Sequence, residues 1–225
     1  MAPLALEKEF AMRTVRIFYK KEGSVKFISH LDTNRFMIRM VRKSGIPVWY
    51  SEGFNPHPYL TFALPLSLGF DSDYEIMDMR INDDNFSNEM VLKALSEHMP
   101  DGIEIFACET PRMKTGEIAY AEYIIDFDSD FSHFTDDWGI FLSSSEIFAE
   151  KKTKKSSLKL INIKEFIKEY KVEATGLKLI VCAGSSNNLN PKIILDAFSS
   201  NTEKSLPPYS ITRTMLYNSE MNIFK

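Results

Sequence analysis

The chain has 225 residues, 44% of them hydrophobic and 26% charged, with a formal net charge of −4. This is the make-up of a globular protein of one large or two small domains. It argues against a membrane-spanning helix, because the longest apolar run, Leu60–Phe70, is interrupted by Thr61, Pro65, Ser67 and Gly69 and falls short of the roughly 20 residues a span needs.

The charge is uneven, +5 over residues 1–60, −16 over 61–150 and +7 over 151–225. Attraction between these segments within one fold accounts for the pattern, and the whole-domain basic footprint usual in a nucleic-acid binder is absent. Cys108 and Cys182 lie 74 residues apart, with no CxxC or Cys/His cluster near either. Such usage predicts a reducing, cytoplasmic setting and no zinc or iron–sulfur cluster held by this chain. Residues 1–11 (MAPLALEKEFA) lack a basic start followed by an apolar core and read as a leader or remnant, not a secretory signal.

In chain order, Thr14–Lys20 alternates as a strand does, Gly23 marks a turn and Val25–Ile28 continues briefly. Ser29-His30-Leu31-Asp32 then has the form of a helix start, with Ser29 as N-cap and Asp32 placed to reach back to free backbone N–H groups. That helix is predicted to run to about Ser44, where Gly45 and Pro47 end it. Pro47–Ser51 reads as a short strand, Tyr74–Ile81 as a strand, Asn85–His98 as a helix opened by Asp83 and Asp84, and Gly102–Cys108 as a strand. The order β-α-β-β-α-β is the split βαβ unit of a ferredoxin-like domain, here over residues 12–109.

Residues 110–117, polar and containing Pro111 and Gly116, read as a linker. Over 118–225 the same order is read again: strand 119–127, helix 131–143, a hairpin of 147–153 and 157–163 around Lys154-Lys155, strand 177–183, helix 191–199 and strand 210–217. The expected fold is therefore α+β, two tandem ferredoxin-like domains with antiparallel sheets. The basic hairpin tip, Lys151 to Lys155, reads as a solvated turn, with Arg213 of the last strand as a residue that could join it.

On a helical wheel, Phe36, Met37, Met40 and Val41 gather on one side of the first helix and Arg35, Arg39 and Arg42 on the other, together with Asp32. An arginine stripe can grip phosphate or carboxylate; a solvated charged face is the plainer alternative. In the stretch SEGFNPHPYLTF, Pro56 and Pro58 fix their own φ and push Asn55 and His57 into extended geometry. The product is a stiff arm that presents Asn55 and His57 at little ordering cost, with Phe54, Tyr59 and Phe62 as stacking faces. His30, Asp32 and His57 are the candidates for acid–base chemistry, provided the helix start and the arm meet. Phosphate loops, GxSxG elbows, HExxH and EF-hand patterns are missing from the sequence.

Across Phe27–Glu75, the motifs Ser29-His30-Leu31-Asp32 and Gly53-Phe54-Asn55-Pro56-His57-Pro58, with Arg35, Arg39, Arg42, Pro65-Leu66, Gly69, Ser72 and Glu75 at their spacing, resemble the bacterial radical-SAM-linked proteins. Met99-Pro100-Asp101-Gly102 and Arg213–Tyr217 extend the resemblance. It implies a partner, a separate radical S-adenosylmethionine enzyme, because two cysteines cannot supply the three-cysteine cluster such chemistry needs. The expectation is an accessory or substrate-presenting module with RNA as a candidate ligand, bound through Arg35, Arg39, Arg42, Phe54, Asn55 and Tyr59. The alternatives are a stand-alone RNA-modifying or RNA-cleaving enzyme using His30 or His57, and a structural scaffold.

Overall fold

The structure, a computed structural model, describes residues 12–128, 131–152, 158–184 and 187–225. The expected leader and the tip of the basic hairpin, 153–157, lie outside the described residues. The chain is a mixed α+β fold whose registered strand pairs are mostly antiparallel. It divides into two compact units: among the described residues, 12–68, 75–112 and 225 form the first, and 69–74 and 113–224 the second.

The first unit runs β1 (Arg13–Lys21), α1 (His30–Lys43), β2 (Leu60–Phe62), β3 (Asp71–Ile81, of which Glu75 onward belongs to this unit), α2 (Asn88–Ser96) and β4 (Ile103–Glu109). Its strands lie in the order β4-β1-β3, with β2 antiparallel on β3 through Leu60↔Met79 and Phe62↔Met77. β1 occupies the middle, so both of its faces are buried from Val15 to Tyr19. Val15, Ile17 and Tyr19 join Met77, Met79, Ile81, Ile103 and Ile105, and α1 and α2 add Met37, Val41, Val91 and Leu95 to that core. Each large apolar side chain taken fully out of water contributes about 1.5–3 kcal/mol, which is what orders these amphipathic elements. On the other face of β1, Arg16 donates from Nε and Nη2 to the two carboxylate oxygens of Asp78, both at 2.7 Å.

Helix α1 begins and ends where expected. Ser29 is its N-cap, accepting the Asp32 N–H at 3.2 Å, and the chain leaves at Gly45 with φ +72°, a conformation that favours glycine. Two local expectations are corrected. Pro47–Ser51 is not a strand: Val48 and Tyr50 make only isolated bridges, to Ile81 and Pro58, and β2 forms ten residues later. The acidic pair does not open α2, since Asp83 turns back to accept the Asn85 N–H and Ser87 caps the helix instead.

The second unit contains β5 (Ile118–Phe127), α3 (Thr135–Ser143), β6 (Phe148–Lys152), β7 (Leu158–Asn162), β8 (Ile167–Val172), β9 (Gly176–Cys182), α4 (Pro191–Thr202) and β10 (Tyr209–Asn218). The expected hairpin is there as β6–β7, but it forms a separate two-stranded sheet. In the main sheet the strands of this unit lie in the order β10-β5-β9-β8, so β5 and β9 are inner strands and β8 is at the edge. α3 and α4 meet through Trp138, stacked on Phe198 with centroids 3.8 Å apart. Arg213 is buried rather than on the surface; the hairpin tip it could have joined lies outside the described residues.

Within this sheet the buried Glu122 carboxylate accepts from Thr214 Oγ1 at 2.8 Å and Tyr217 Oη at 3.0 Å, with Lys178 Nζ at 3.1 Å. Burial, then the bond to Glu122, pushes the Tyr217 phenol up to about 12. The folded form therefore holds this proton more tightly than the unfolded chain. The stabilisation is complete below the ordinary tyrosine value of about 10 and is lost as pH climbs from there toward about 12. Denaturant titrations at stepped pH are expected to show that alkaline loss in the native sequence and to show it diminished in Tyr217→Phe.

Candidate binding site

The site residues foreseen in the sequence all belong to the first unit. At the start of α1, the Ser29 hydroxyl donates to Asp32 Oδ2 at 2.7 Å, and Arg35 Nη1 donates to Asp32 Oδ1 at 3.2 Å. Asp32 thus spends its carboxylate on the capping hydroxyl and on Arg35, not on the free backbone N–H groups expected of it. The Ser29 bond, foremost, lowers the Asp32 pKa. His30 is exposed, with its ring edge-on to Phe62 of β2 at 5.1 Å between centroids.

The arm is a hairpin closed at its base by the Tyr50–Pro58 bridge and by the Ser51 N–H donating to the His57 carbonyl at 2.9 Å. His57 turns inward: its backbone N–H donates to Ser51 Oγ at 3.3 Å, and its Nδ1 lies 3.0 Å from that hydroxyl and 3.2 Å from the Asn55 carbonyl. The imidazole therefore braces the loop. Gly53, at φ +128°, supplies the one conformation at the tip that a side chain would resist. Phe54 beside it is fully exposed, and Asn55 is exposed as well. A ring left wholly in water at the end of a proline-stiffened loop contributes nothing to the core, which makes it the clearest contact residue of the unit.

Arg42 fastens the arm to the helix. Its Nη2 donates to the Pro56 carbonyl at 3.2 Å, and its guanidinium lies 5.9 Å from the centre of the Tyr50 ring. The three arginines consequently have different standings: Arg42 holds the arm, Arg35 is paired with Asp32, and exposed Arg39 has no hydrogen-bond or ion-pair partner among the described residues.

These contacts fix the course of the chain relative to α1. Arg42 and His30 are twelve residues apart, about 18 Å along the axis. Pro56 touches Arg42, Phe62 touches His30, and six extended residues between them cover about 20 Å. The segment from arm to β2 therefore runs back along the helix. His30 and Asp32 stand at one end of it and Asn55 and His57 at the other, so the condition set for joint acid–base chemistry, that the helix start and the arm meet, is not fulfilled by the two histidines.

Sequence reasoning missed a second cluster at the foot of the arm. The Arg80 guanidinium of β3 lies 5.5 Å from the Trp49 ring centre and 4.8 Å from that of Tyr59, and the two rings meet edge to face at 5.6 Å. Tyr59, expected on the arm's binding face, belongs to this cluster. The available signal was the alternation Met77-Asp78-Met79-Arg80-Ile81, which sends Arg80 to the face opposite the core.

No group of three or more His, Cys, Asp or Glu side chains suited to a metal occurs among the described residues. Burial pushes the Cys108 thiol up to about 12, a poor state for a ligand or nucleophile. No helix of the described chain is long and apolar enough to cross a membrane.

The fold and site define an α+β protein whose first unit displays a stiff aromatic-tipped hairpin beside an arginine-bearing helix. The chain belongs to the family described as "Uncharacterized protein conserved in bacteria (DUF2344)", which it matches over residues 14–191, a span that takes in both the helix start and the arm. No curated protein matches it.

Proposed function

We propose that the chain is an accessory, substrate-presenting module that binds single-stranded RNA and works beside a separate radical S-adenosylmethionine enzyme in the cytoplasm. The observation that carries the RNA reading is the fully exposed Phe54 at the tip of an arm tied to α1 by Arg42. An aromatic face for a base and a neighbouring unpaired cation, Arg39, are the two elements that sequence-tolerant single-strand binding uses. The link to a radical enzyme rests on the resemblance of the Ser29–Asp32 and Gly53–Pro58 motifs. On the same reading the two units are tandem ferredoxin-like domains, supported by the parallel strand orders β4-β1-β3-β2 and β10-β5-β9-β8. The alternative, a stand-alone RNA-modifying or RNA-cleaving enzyme with His30 or His57 as its general acid/base, would have to work with one of the two alone, because they stand apart along α1.

Fluorescence anisotropy with a labelled oligouridine tests the proposal. Phe54→Ala is expected to weaken binding by about 1–3 kcal/mol, the usual worth of one base–aromatic stack. Arg39→Ala is expected to lower the slope of log K against log salt by about 0.7, one phosphate contact on a single strand. Both positions are exposed, so stability should change by no more than about 0.5 kcal/mol. Unchanged binding in both variants would remove the RNA reading. For the partner, capture of a radical enzyme from native cells that survives RNase treatment is the expected result; loss of the enzyme with RNase would mean that RNA alone bridges the two.

A further inference from the structure

We infer that Trp49, Tyr59 and Arg80 form a clip for one nucleoside monophosphate unit, with the guanidinium taking the phosphate and the exposed Tyr59 ring taking the base. The inference deepens the proposed RNA binding, on which it rests for its ligand class, and assigns a part to residues outside the arm's tip.

Arg80 is partly buried and lies against two rings, yet its guanidinium makes no hydrogen bond or ion pair among the described residues. Arg16, Arg35 and Arg42 in the same unit each have an oxygen acceptor. A guanidinium carries five N–H donors in a planar fork, and contact with the two rings uses none of them, which leaves the donors for an acceptor. Phosphate matches the fork in bidentate fashion.

The cluster is also held in place before any ligand arrives. The Trp49 N–H donates to the Arg80 carbonyl at 2.8 Å, and the Tyr59 N–H donates to the Trp49 carbonyl at 3.1 Å. Pairings on either side of Arg80, Leu60↔Met79 and Val48↔Ile81, fix its strand. Little ordering entropy is then left to lose on binding. Asp78, two residues away on the same face of β3, would repel an anion if its charge were open, but Arg16 holds both of its oxygens.

Tyr59 is 41% exposed and so offers ring surface beyond what Arg80 covers. An exposed planar ring beside an open phosphate-binding edge suits a nucleotide better than an aliphatic carboxylate, which would use the guanidinium alone.

The chain reports on this site itself. It has two tryptophans, and Trp138 is fully buried against Phe198, so a change in fluorescence on adding a small ligand follows Trp49. Uridine 5′-monophosphate, uridine, inorganic phosphate and oligoglutamate are titrated against the full chain, with Trp49→Phe as the blank. The monophosphate is expected to quench saturably. Arg80→Lys, which keeps the charge and loses the fork, is expected to weaken it at least tenfold, and Arg80→Met to abolish it with an unchanged near-UV circular dichroism spectrum. Equal quenching by uridine, equal effect of bare phosphate or oligoglutamate, or an unaltered titration in Arg80→Lys and Arg80→Met would each overturn the clip. Oligouridine binding by anisotropy without any Trp49 response would remove the clip and leave the arm's role standing. Monophosphate quenching in a chain that fails to hold oligouridine would do the reverse.

Discussion

Asp78→Ala is expected to destabilise the first unit by about 3–5 kcal/mol, the cost of breaking a buried ion pair from one side. Arg16 is 1% exposed and loses the two charge-assisted bonds that its Nε and Nη2 make to the Asp78 carboxylate. Guanidinium denaturation read in the first unit checks the size. The double variant Arg16→Met with Asp78→Leu is expected to recover most of the loss, because an apolar pair of similar volume leaves no charge to desolvate. A loss below about 1 kcal/mol in Asp78→Ala would show that solvent reaches the pair and screens it.

Gly176→Ala is expected to cost about 3 kcal/mol or more and to lower the melting temperature of the second unit by about 10 °C. A Cβ at this position would sit 1.9 Å from the Ile125 carbonyl oxygen and 3.3 Å from the Asp126 Cα. Both belong to the paired strand β5, where Asp126 faces Gly176 in register. Side chains can turn away from an intruding methyl group, but a strand backbone bonded on both sides cannot, so β5 and β9 must part at this end. Hydrogen exchange should locate the damage at residues 124–127 and 176–178, with distant amides of the unit less affected. Uniform protection in the variant would show that the strand end yields without cost.

The start of α1 was legible because its signals are local: a serine whose hydroxyl reaches a backbone N–H three residues on, and a glycine whose positive φ ends the helix. The stiffness of the arm was legible for the same reason, since proline restricts its own residue and the one before it. β8 was missed. Its sequence, IKEYKV, lies at the edge of the sheet with only Ile167 buried, so it carries no alternation of apolar and polar residues to read. The hairpin of 147–153 and 157–163 was legible but not its standing as a separate sheet, because strand pattern says which residues extend and nothing about which further neighbour they pair with.

The candidate site divides along the same line. Residue chemistry alone singled out Ser29–Asp32, the arginines of α1 and the Asn55–His57 arm, since charge, aromaticity and backbone restriction are properties a residue brings with it. Only the tertiary structure decided what those groups do to one another: Arg42 became a tether, Asp32 a partner of Arg35, His57 a brace for its own loop, and Phe54 the ring left in water. It also placed His30 and His57 at opposite ends of α1 and drew Trp49, Tyr59 and Arg80 together from two separate segments. Those outcomes depend on distances between residues far apart in the chain, and such distances are set by how strands pair and helices pack, which no local pattern encodes.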